Sequence, residues 1–181
     1  MNPFFQLAYL RADLKRWNIS SLKEVFYAVF ESGIWVTIFY RLSRFLFLID
    51  IPIIKIPLRL CAFLLFKLNE ILGCAIRPGC DIGPGLYIGH TGIIRIHPEV
   101  KAGKNLSIGQ QVTIGTKGLG VKGAPVLGDN VYIGVGAKVL GPIKIGNNVR
   151  IGANAVVITD VPDDCTAVGV PAKIIKRKNT E

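Results

Sequence analysis

Aliphatic residues recur every six positions through most of the chain beyond residue 75. A small residue, often glycine, usually follows the first aliphatic position, and the fifth position of each unit is again apolar. About thirteen such units leave little room for chance. In the clearest part of the repeat, the units open at Leu127, Ile133, Val139, Ile145, Ile151 and Val157.

Strand geometry explains this spacing. Side chains alternate along a short strand, so the first and fifth positions of a unit can both face a core. A glycine between units permits a turn with positive φ at low steric cost. Three units close one triangular coil, and stacked coils bury the aliphatic positions against one another. The pattern predicts a parallel β-helix of roughly four coils, and the period alone does not define its hand.

The segment before the repeat has a different pattern. Residues 25–72 are strongly apolar, but charged residues and two prolines interrupt them before about 18 consecutive apolar residues accumulate. We predict two or three amphipathic helices that pack against the rest of the protein or another subunit. Attachment to an anionic inner membrane surface is the alternative. We expect no cleaved secretory signal, because charges come early and no small-residue cleavage site follows.

These patterns divide the chain into three parts. We expect an apolar, basic helical segment at 1–74, a β-helix at 75–168 and a basic tail at 169–181. The β-helix carries an inserted loop at 116–126. The fold class is therefore mainly β, with a short α-helical segment in front.

The amino-acid composition limits the classes of partner that this chain is expected to bind. Half of the 181 residues are hydrophobic and 19% are charged, which is too apolar for a disordered chain. A net charge of +10 favours anionic partners such as a phosphate-bearing cofactor or an anionic membrane. The sequence has no recognised nucleic-acid motif and no basic–aromatic stripe, so we expect no nucleic-acid binding.

The cysteines and histidines indicate no metal site. The four cysteines form no CxxC pair, and only two histidines are present. A β-helical carbonic anhydrase would need three zinc-binding histidines, so that class of enzyme is excluded. Cysteines without a disulfide pattern favour a reduced, cytoplasmic setting.

Both histidines lie in the stretch YIGHTGIIRIHPEV, where the repeat loses step. Ile88 and Ile96 are eight residues apart rather than six, so the chain can bulge after His90. Histidine is the side chain whose ordinary pKa best suits it to exchange a proton near neutral pH, so both histidines are candidates for chemistry. His97 restarts the repeat just before Pro98, and we expect a structural role there, with substrate binding across a subunit boundary as the alternative.

The repeat units together with GHTGI, QQVTIG, IGVGAKVLG and AVGVPAKII resemble the serine acetyltransferases within the hexapeptide acyltransferases. The resemblance covers residues 75–176 and continues more weakly into the preceding helices. It implies a left-handed β-helix, a homotrimer, and acetyl-coenzyme A bound in clefts between neighbouring prisms. It also implies that His90 is the catalytic base, which removes the proton of the acceptor hydroxyl and returns it to the departing thiolate. A solvent-facing turn histidine is the alternative.

Cofactor contacts follow from the same resemblance. Gly134, Val135 and Ala153 match positions that contact coenzyme A, although Ala153 also suits a plain repeat position. Lys173 in the basic tail is a candidate for the phosphates, with a merely solvated lysine as the alternative. A turn glycine such as Gly109 or Gly115 could donate a backbone N–H to the developing oxyanion, and the sequence does not choose between them. No metal is implied.

One departure from the family concerns the partner of the histidine. Ala75 stands where the serine acetyltransferases carry an aspartate that orients the catalytic imidazole. Asp81 and Glu99 are the candidate substitutes, and a backbone carbonyl could also select the tautomer.

A second departure lies in the inserted loop. Residues 123–125 read Gly-Ala-Pro where the serine enzymes carry Arg-His-Pro, whose first two side chains hold the carboxylate of the amino acid. A carboxylate binds poorly without a cationic partner. Lys117 and Lys122 remain, and we expect the loop to cover the cleft and touch substrate or the pantetheine arm.

These departures favour a hydroxyl other than that of L-serine. We predict an O-acetyltransferase of the polysaccharide branch, acting on a sugar of a capsular, exo- or lipopolysaccharide or its precursor. It would be cytoplasmic or peripheral at the inner membrane face. Serine O-acetyltransferase of cysteine biosynthesis is the alternative, and a catalytically inactive structural trimer is the third possibility.

Overall fold

The computed structural model describes residues 3–19, 21–118 and 120–177. Residue 119 of the predicted loop and residues 178–181 of the predicted tail lie outside these ranges. Within them, four helices precede the strands. Three of them lie wholly or largely in the apolar segment at 25–72, in agreement with the two or three predicted there, and one precedes that segment. The helices are α1 Phe5–Lys15, α2 Leu22–Phe30, α3 Ser32–Leu48 and α4 Lys55–Ile71.

Local signals explain where the helices begin and end. Ser21 starts α2 with a capping box, in which its hydroxyl accepts from the Glu24 amide and the Glu24 carboxylate accepts from the Ser21 amide. Glu31 leaves helical geometry at ψ 105° and separates α2 from α3. Among the described residues no single helix is long and apolar enough to span a membrane; only the pair α2 and α3, bent by 75°, has the length and composition together.

Fifteen short strands follow within the described ranges. They are β1 Cys74–Ile76, β2 Asp81–Ile82, β3 Tyr87–Ile88, β4 Ile94–Ile96, β5 Lys101–Ala102, β6 Ser107–Ile108, β7 Thr113–Gly115, β8 Val126–Leu127, β9 Tyr132–Ile133, β10 Lys138–Leu140, β11 Lys144–Ile145, β12 Arg150–Ile151, β13 Val156–Val157, β14 Cys165–Val168 and β15 Lys173–Lys176.

Up to β13 every third strand returns to the same sheet, and β14 joins the third sheet beside β12, which makes the chain a parallel β-helix with three faces. The first sheet has the order β1-β4-β7-β10-β13, the second β2-β5-β8-β11, and the third β3-β6-β9-β12-β14. Strand β15 closes the third sheet by pairing antiparallel with β14. Five strands in the first sheet make about five turns, against the predicted four, because β14 completes the last turn outside the six-residue pattern.

The aliphatic repeat fills the core as predicted. Ile82, Ile88, Ile133 and Ile151 are completely buried. The turns between units differ from the expectation, because asparagine as well as glycine occupies the left-handed region. Asn105, Asn130 and Asn148 have φ of 59°, 57° and 55°, and their side-chain amides bond from coil to coil at 2.8 and 3.0 Å.

Helices α1 and α3 cap the first coil. The fully buried Arg41 guanidinium pairs with Asp13 at 2.7 Å and donates to the carbonyl oxygens of Ile82 and Gly83, each at 2.7 Å. Asp13 in turn accepts from the amide of Leu86 at 2.7 Å. Because β2 and β3 are edge strands, these contacts satisfy backbone groups that would otherwise be exposed or unpaired.

Candidate active site

The residues predicted to serve catalysis and cofactor binding lie along one edge of the prism. His90 follows β3, Gly134 and Val135 follow β9, and Ala153 follows β12, so all of them occupy turns that leave the third sheet. We call this row of turns, residues 89–93, 109–112, 134–137 and 152–155, the His90 edge. Lys173 follows the equivalent turn of the last coil and pairs with Val168.

Coil stacking sets the distances along the His90 edge. Adjacent strands lie about 4.8 Å apart, so three steps from the turn of His90 to the turn of Ala153 span about 14 Å. A fourth step reaches the turn before Lys173 at about 19 Å. The edge therefore offers an extended track with a histidine at one end and a lysine at the other.

The track is narrow because the coils touch through their backbones. A Cβ atom at Gly134 would come within 2.7 Å of the Ala153 amide nitrogen, and one at Gly109 within 2.9 Å of the Val135 amide nitrogen. Both glycines are thus required for stacking, whatever else they do. Gly134 is buried, Val135 is half-buried and Ala153 is exposed. The amide of Gly109 donates to the carbonyl oxygen of Ile133 at 2.9 Å, so it is not available to an oxyanion.

His90 itself is exposed, and its ring forms no hydrogen bond within the part of the chain that the structure describes. The bulge lies where the eight-residue spacing predicts it: Gly92 and Ile93 have φ of 139° and 50°. Thr91 shares a 2.8 Å hydrogen bond with Ser32 at the start of α3. The turn that carries the imidazole is therefore held from the helical segment.

Gly33 brings α3 against the strand that leads to His90. A Cβ atom at this position would overlap the carbonyl oxygen of Ile88. Sequence reasoning missed Ser32, Thr91 and Gly33, because the contacting residues are more than fifty positions apart and no local pattern marks them.

Neither candidate carboxylate is hydrogen-bonded to His90. Asp81 lies on β2 in the second sheet, where the Arg44 guanidinium donates to it at 2.6 Å. Glu99 is exposed, and its backbone amide donates to His97 Nδ1 at 3.3 Å. Closeness in sequence is misleading here, because β2 and β3 belong to different faces of the prism.

The inserted loop lies on a different edge from His90 of the same chain. It leaves β7 and enters β8, so it occupies the edge between the first and second sheets. Gly123 and the side chain of Lys117 pack near the turn at Gly141 and Pro142. Lys117 and Lys122 are both exposed. Within one chain, the loop therefore does not cover His90.

No metal centre is evident in the described ranges, where no group of three or more His, Cys, Asp or Glu side chains could hold an ion. Burial raises the pKa of the Tyr40 hydroxyl, and its oxygen donates to the Cys80 carbonyl at 2.9 Å. This tyrosine is therefore a structural link between α3 and the first coil.

Comparison with known proteins supplies independent findings. Residues 124–159 match the family described as bacterial transferase hexapeptide (six repeats). The serine acetyltransferase of Mycobacterium tuberculosis is 45% identical over 119 residues, 65% of this chain and 52% of that protein. The serine acetyltransferase of Synechococcus elongatus is 40% identical over 147 residues, 80% of this chain and 57% of that protein. The chain thus spans about half the length of these relatives.

Solved structures agree with these sequence matches. The Neisseria gonorrhoeae serine acetyltransferase in complex with serine has a TM-score of 0.77 and 31% identity, covering 95% of this chain and 69% of that one. The Brucella abortus strain S19 serine acetyltransferase in complex with coenzyme A has a TM-score of 0.79 and 27% identity, covering 96% of this chain and 67% of that one. The likeness therefore extends through the helical segment as well as the β-helix.

Proposed function

The chain belongs to the hexapeptide-repeat acyltransferase family, and from this premise we propose that it transfers an acetyl group from acetyl-coenzyme A to the hydroxyl of L-serine. The observation that carries the proposal is the match, over nearly the whole chain, to a serine acetyltransferase that holds serine and to another that holds coenzyme A. The predicted sugar acceptor was wrong, because the relatives of this chain are named serine acetyltransferases.

In the proposed reaction His90 acts as the general base. Its exposed imidazole, free of hydrogen bonds to the described residues, accepts the proton of the serine hydroxyl. The hydroxyl oxygen attacks the thioester carbonyl, the carbon–sulfur bond breaks, and the thiolate of coenzyme A takes up the proton from the imidazolium. The contact between Ser32 and Thr91 holds the turn on which this base is placed.

The His90 edge suits acetyl-coenzyme A as the co-substrate. Backbone and small side chains at Val135 and Ala153 leave room for an extended pantetheine arm. Lys173 stands exposed near the far end, where an ammonium group can meet phosphate. This path assigns the thioester to the His90 end and the charged nucleotide to the opposite end.

The position of the inserted loop supports a homotrimer. Because the loop and His90 occupy different edges of one prism, Lys117 and Lys122 can approach a catalytic histidine only in a neighbouring chain. We propose that the loop of one subunit closes over the His90 edge of the next.

Location and membrane contact stay predictions. The helical surface around α2 and α4 carries equal numbers of positive and negative side chains. The cations are Lys23, Lys55, Arg59 and Lys67, and the carboxylates are Glu24, Glu31, Asp50 and Glu70. Such a surface has no net attraction for anionic lipid, so we favour a cytoplasmic enzyme over a membrane-bound one.

The test is release of coenzyme A from acetyl-coenzyme A in the presence of L-serine. We expect His90→Ala to lower kcat by about 10²- to 10⁴-fold, the usual contribution of a general base, without changing the thermal melting profile. Unchanged turnover in His90→Ala would overturn the base assignment. A well-folded wild-type protein that binds acetyl-coenzyme A but never acetylates L-serine would overturn the proposed acceptor.

A further inference from the structure

A cleft of about 470 Å³ opens on the outer face of the first sheet. Its floor is formed by Ala75, Arg95 and Thr113, which stand side by side on β1, β4 and β7. Phe66 of α4 forms part of one wall. Because Ala75 ends at Cβ, the floor beside Arg95 is open to a ligand rather than filled by a side chain.

The cleft has an excess of positive charge. The Arg95 side chain forms no ion pair or hydrogen bond within the described part of the chain, and the Arg77 side chain pairs with no carboxylate there. The Arg77 guanidinium carbon lies 5.6 Å from the centroid of the Phe66 ring, which places it beside the wall. Glu70 also lines the cleft, but Lys67 donates to it at 2.6 Å and balances its charge. Two guanidinium groups are therefore left without an anion.

His97 adds a hydrogen-bond donor. Its Nδ1 accepts from the Glu99 amide at 3.3 Å, so a neutral ring carries its proton on Nε2. His97 lines the cleft together with the hydroxyl-bearing Thr113 and Thr116. The walls thus combine two planar cations, an imidazole N–H and two hydroxyl groups, which is the donor set that a carboxylate prefers.

The cleft adjoins the His90 edge, because Arg95 is the second residue of β4, the strand that follows the turn of His90. Arg95 follows His90 by five residues, so their Cα atoms are at most about 18 Å apart. The left-handed turn at Gly92 and Ile93 folds the intervening chain and shortens that distance.

We infer that this cleft binds the α-carboxylate of the acceptor amino acid, with Arg95 as the main cation and Arg77 and His97 as supporting donors. The inference rests on the proposed function and deepens it, because it identifies a carboxylate-binding group that the inserted loop does not provide. A free regulatory carboxylate has the same chemistry, and the test below separates the two sources.

The test compares Arg95→Gln with the wild type in steady-state kinetics. A hydrogen bond to a charged group contributes about 1.5–3 kcal/mol, so we expect KM for L-serine to rise about 10- to 100-fold. The kcat and the KM for acetyl-coenzyme A should change little, because the carboxylate is not the reacting group. Turnover of L-serinamide, which lacks the carboxylate, should be the same in both proteins.

The matched control is Lys101→Gln. Lys101 is an exposed cation on β5, in the same coil as Arg95 but on the second sheet. The substitution therefore removes one positive charge without altering the cleft. Calorimetric titration with L-serine in the absence of acetyl-coenzyme A gives a second readout. Binding should weaken in Arg95→Gln and persist in Lys101→Gln.

The outcomes separate the cleft from the proposed function. An unchanged KM for L-serine in Arg95→Gln, in an enzyme whose wild type is active, overturns the inference and leaves the proposed function intact. A variant that keeps its KM for L-serine but loses inhibition by a free carboxylate assigns the cleft to regulation and also overturns it. Failure of the wild type to acetylate L-serine would overturn the proposed function itself.

Discussion

The buried pair of Asp13 and Arg41 offers a sharp test of how the helices hold the β-helix. We consider the change Asp13→Ala. It removes a carboxylate that is 0% exposed, that contacts Arg41 at 2.7 and 3.2 Å, and that accepts from the amides of Gly85 and Leu86, each at 2.7 Å. The variant therefore leaves a buried cation and two buried backbone donors without this partner.

The magnitude follows from those losses. Removing one partner of a buried ion pair costs about 3–5 kcal/mol, because the remaining charge stays buried. Each orphaned amide costs about 1–3 kcal/mol, although relaxation and water prevent a full sum. We expect the free energy of unfolding to fall by about 4 kcal/mol or more, a large share of the 5–15 kcal/mol typical of a folded domain.

Urea unfolding followed by tryptophan fluorescence measures this change. Asp50→Ala is the control, since its exposed carboxylate pairs with Lys55 at the surface and should leave the midpoint unmoved. Replacing Asp13 and Arg41 together by Leu and Met should destabilise less than Asp13→Ala, because no buried charge remains. A loss below about 1 kcal/mol in Asp13→Ala would refute the reasoning, since a buried charge cannot lose its partner so cheaply.

Three further predictions concern other parts of the molecule. Gly33→Ala should lower both the melting temperature and kcat, because its methyl group would overlap the Ile88 carbonyl oxygen and push α3 away from the strand before His90; normal activity with a normal melt would contradict this. Asn130→Ala should lower the free energy of unfolding by about 1–2 kcal/mol, and Asn130→Gly by less, because glycine accepts the φ of 57° that alanine resists; denaturant midpoints check the order. Alkylation followed by mass spectrometry should label the exposed Cys61 thiol first, because burial raises the pKa of the Cys80 thiol to about 12. The same thiol has a reference pKa of 9.0, so burial of the neutral Cys80 thiol contributes its full share to the free energy of unfolding below pH 9, and this share is lost as the pH rises towards 12. Rapid labelling of Cys80 in the native protein would contradict the first expectation, and a free energy of unfolding that stays constant between pH 9 and 12 would contradict the second.

The sequence misled most where it was interpreted as a linear motif. The inserted loop carries Gly-Ala-Pro at 123–125, and from this we predicted a sugar hydroxyl as the acceptor instead of that of L-serine. The relatives contradict that prediction. Arg77, just after β1, and Arg95 on β4 line the cleft for which we propose a carboxylate, at positions that no contiguous motif marks as a site. On this proposal, a ligand group is replaced from another strand while the chemistry is retained.

The orienting carboxylate was a similar case. Asp81 stands nine positions before His90, which suggested a partnership. Its strand faces a different side of the prism, and Arg44 of α3 takes its charge. Distance along the chain is a poor guide to side-chain contacts in a β-helix, because the chain passes to another face after each short strand.

By itself the sequence determined the β-helix, its buried aliphatic positions, the bulge after His90 and the family resemblance. These features depend on a local repeat, in which each short unit carries its own strand, its own turn and its own inward side chain. Only the tertiary structure decided which distant residues lie together. It placed the row from His90 towards Lys173 on one edge and the inserted loop on another, and it formed the buried pair of Asp13 and Arg41 and the cleft at Arg95. These contacts depend on the closure of the coils and on the packing of the helices onto the first coil. Both processes bring together residues that are far apart in the sequence, and no local sequence pattern predicts such contacts.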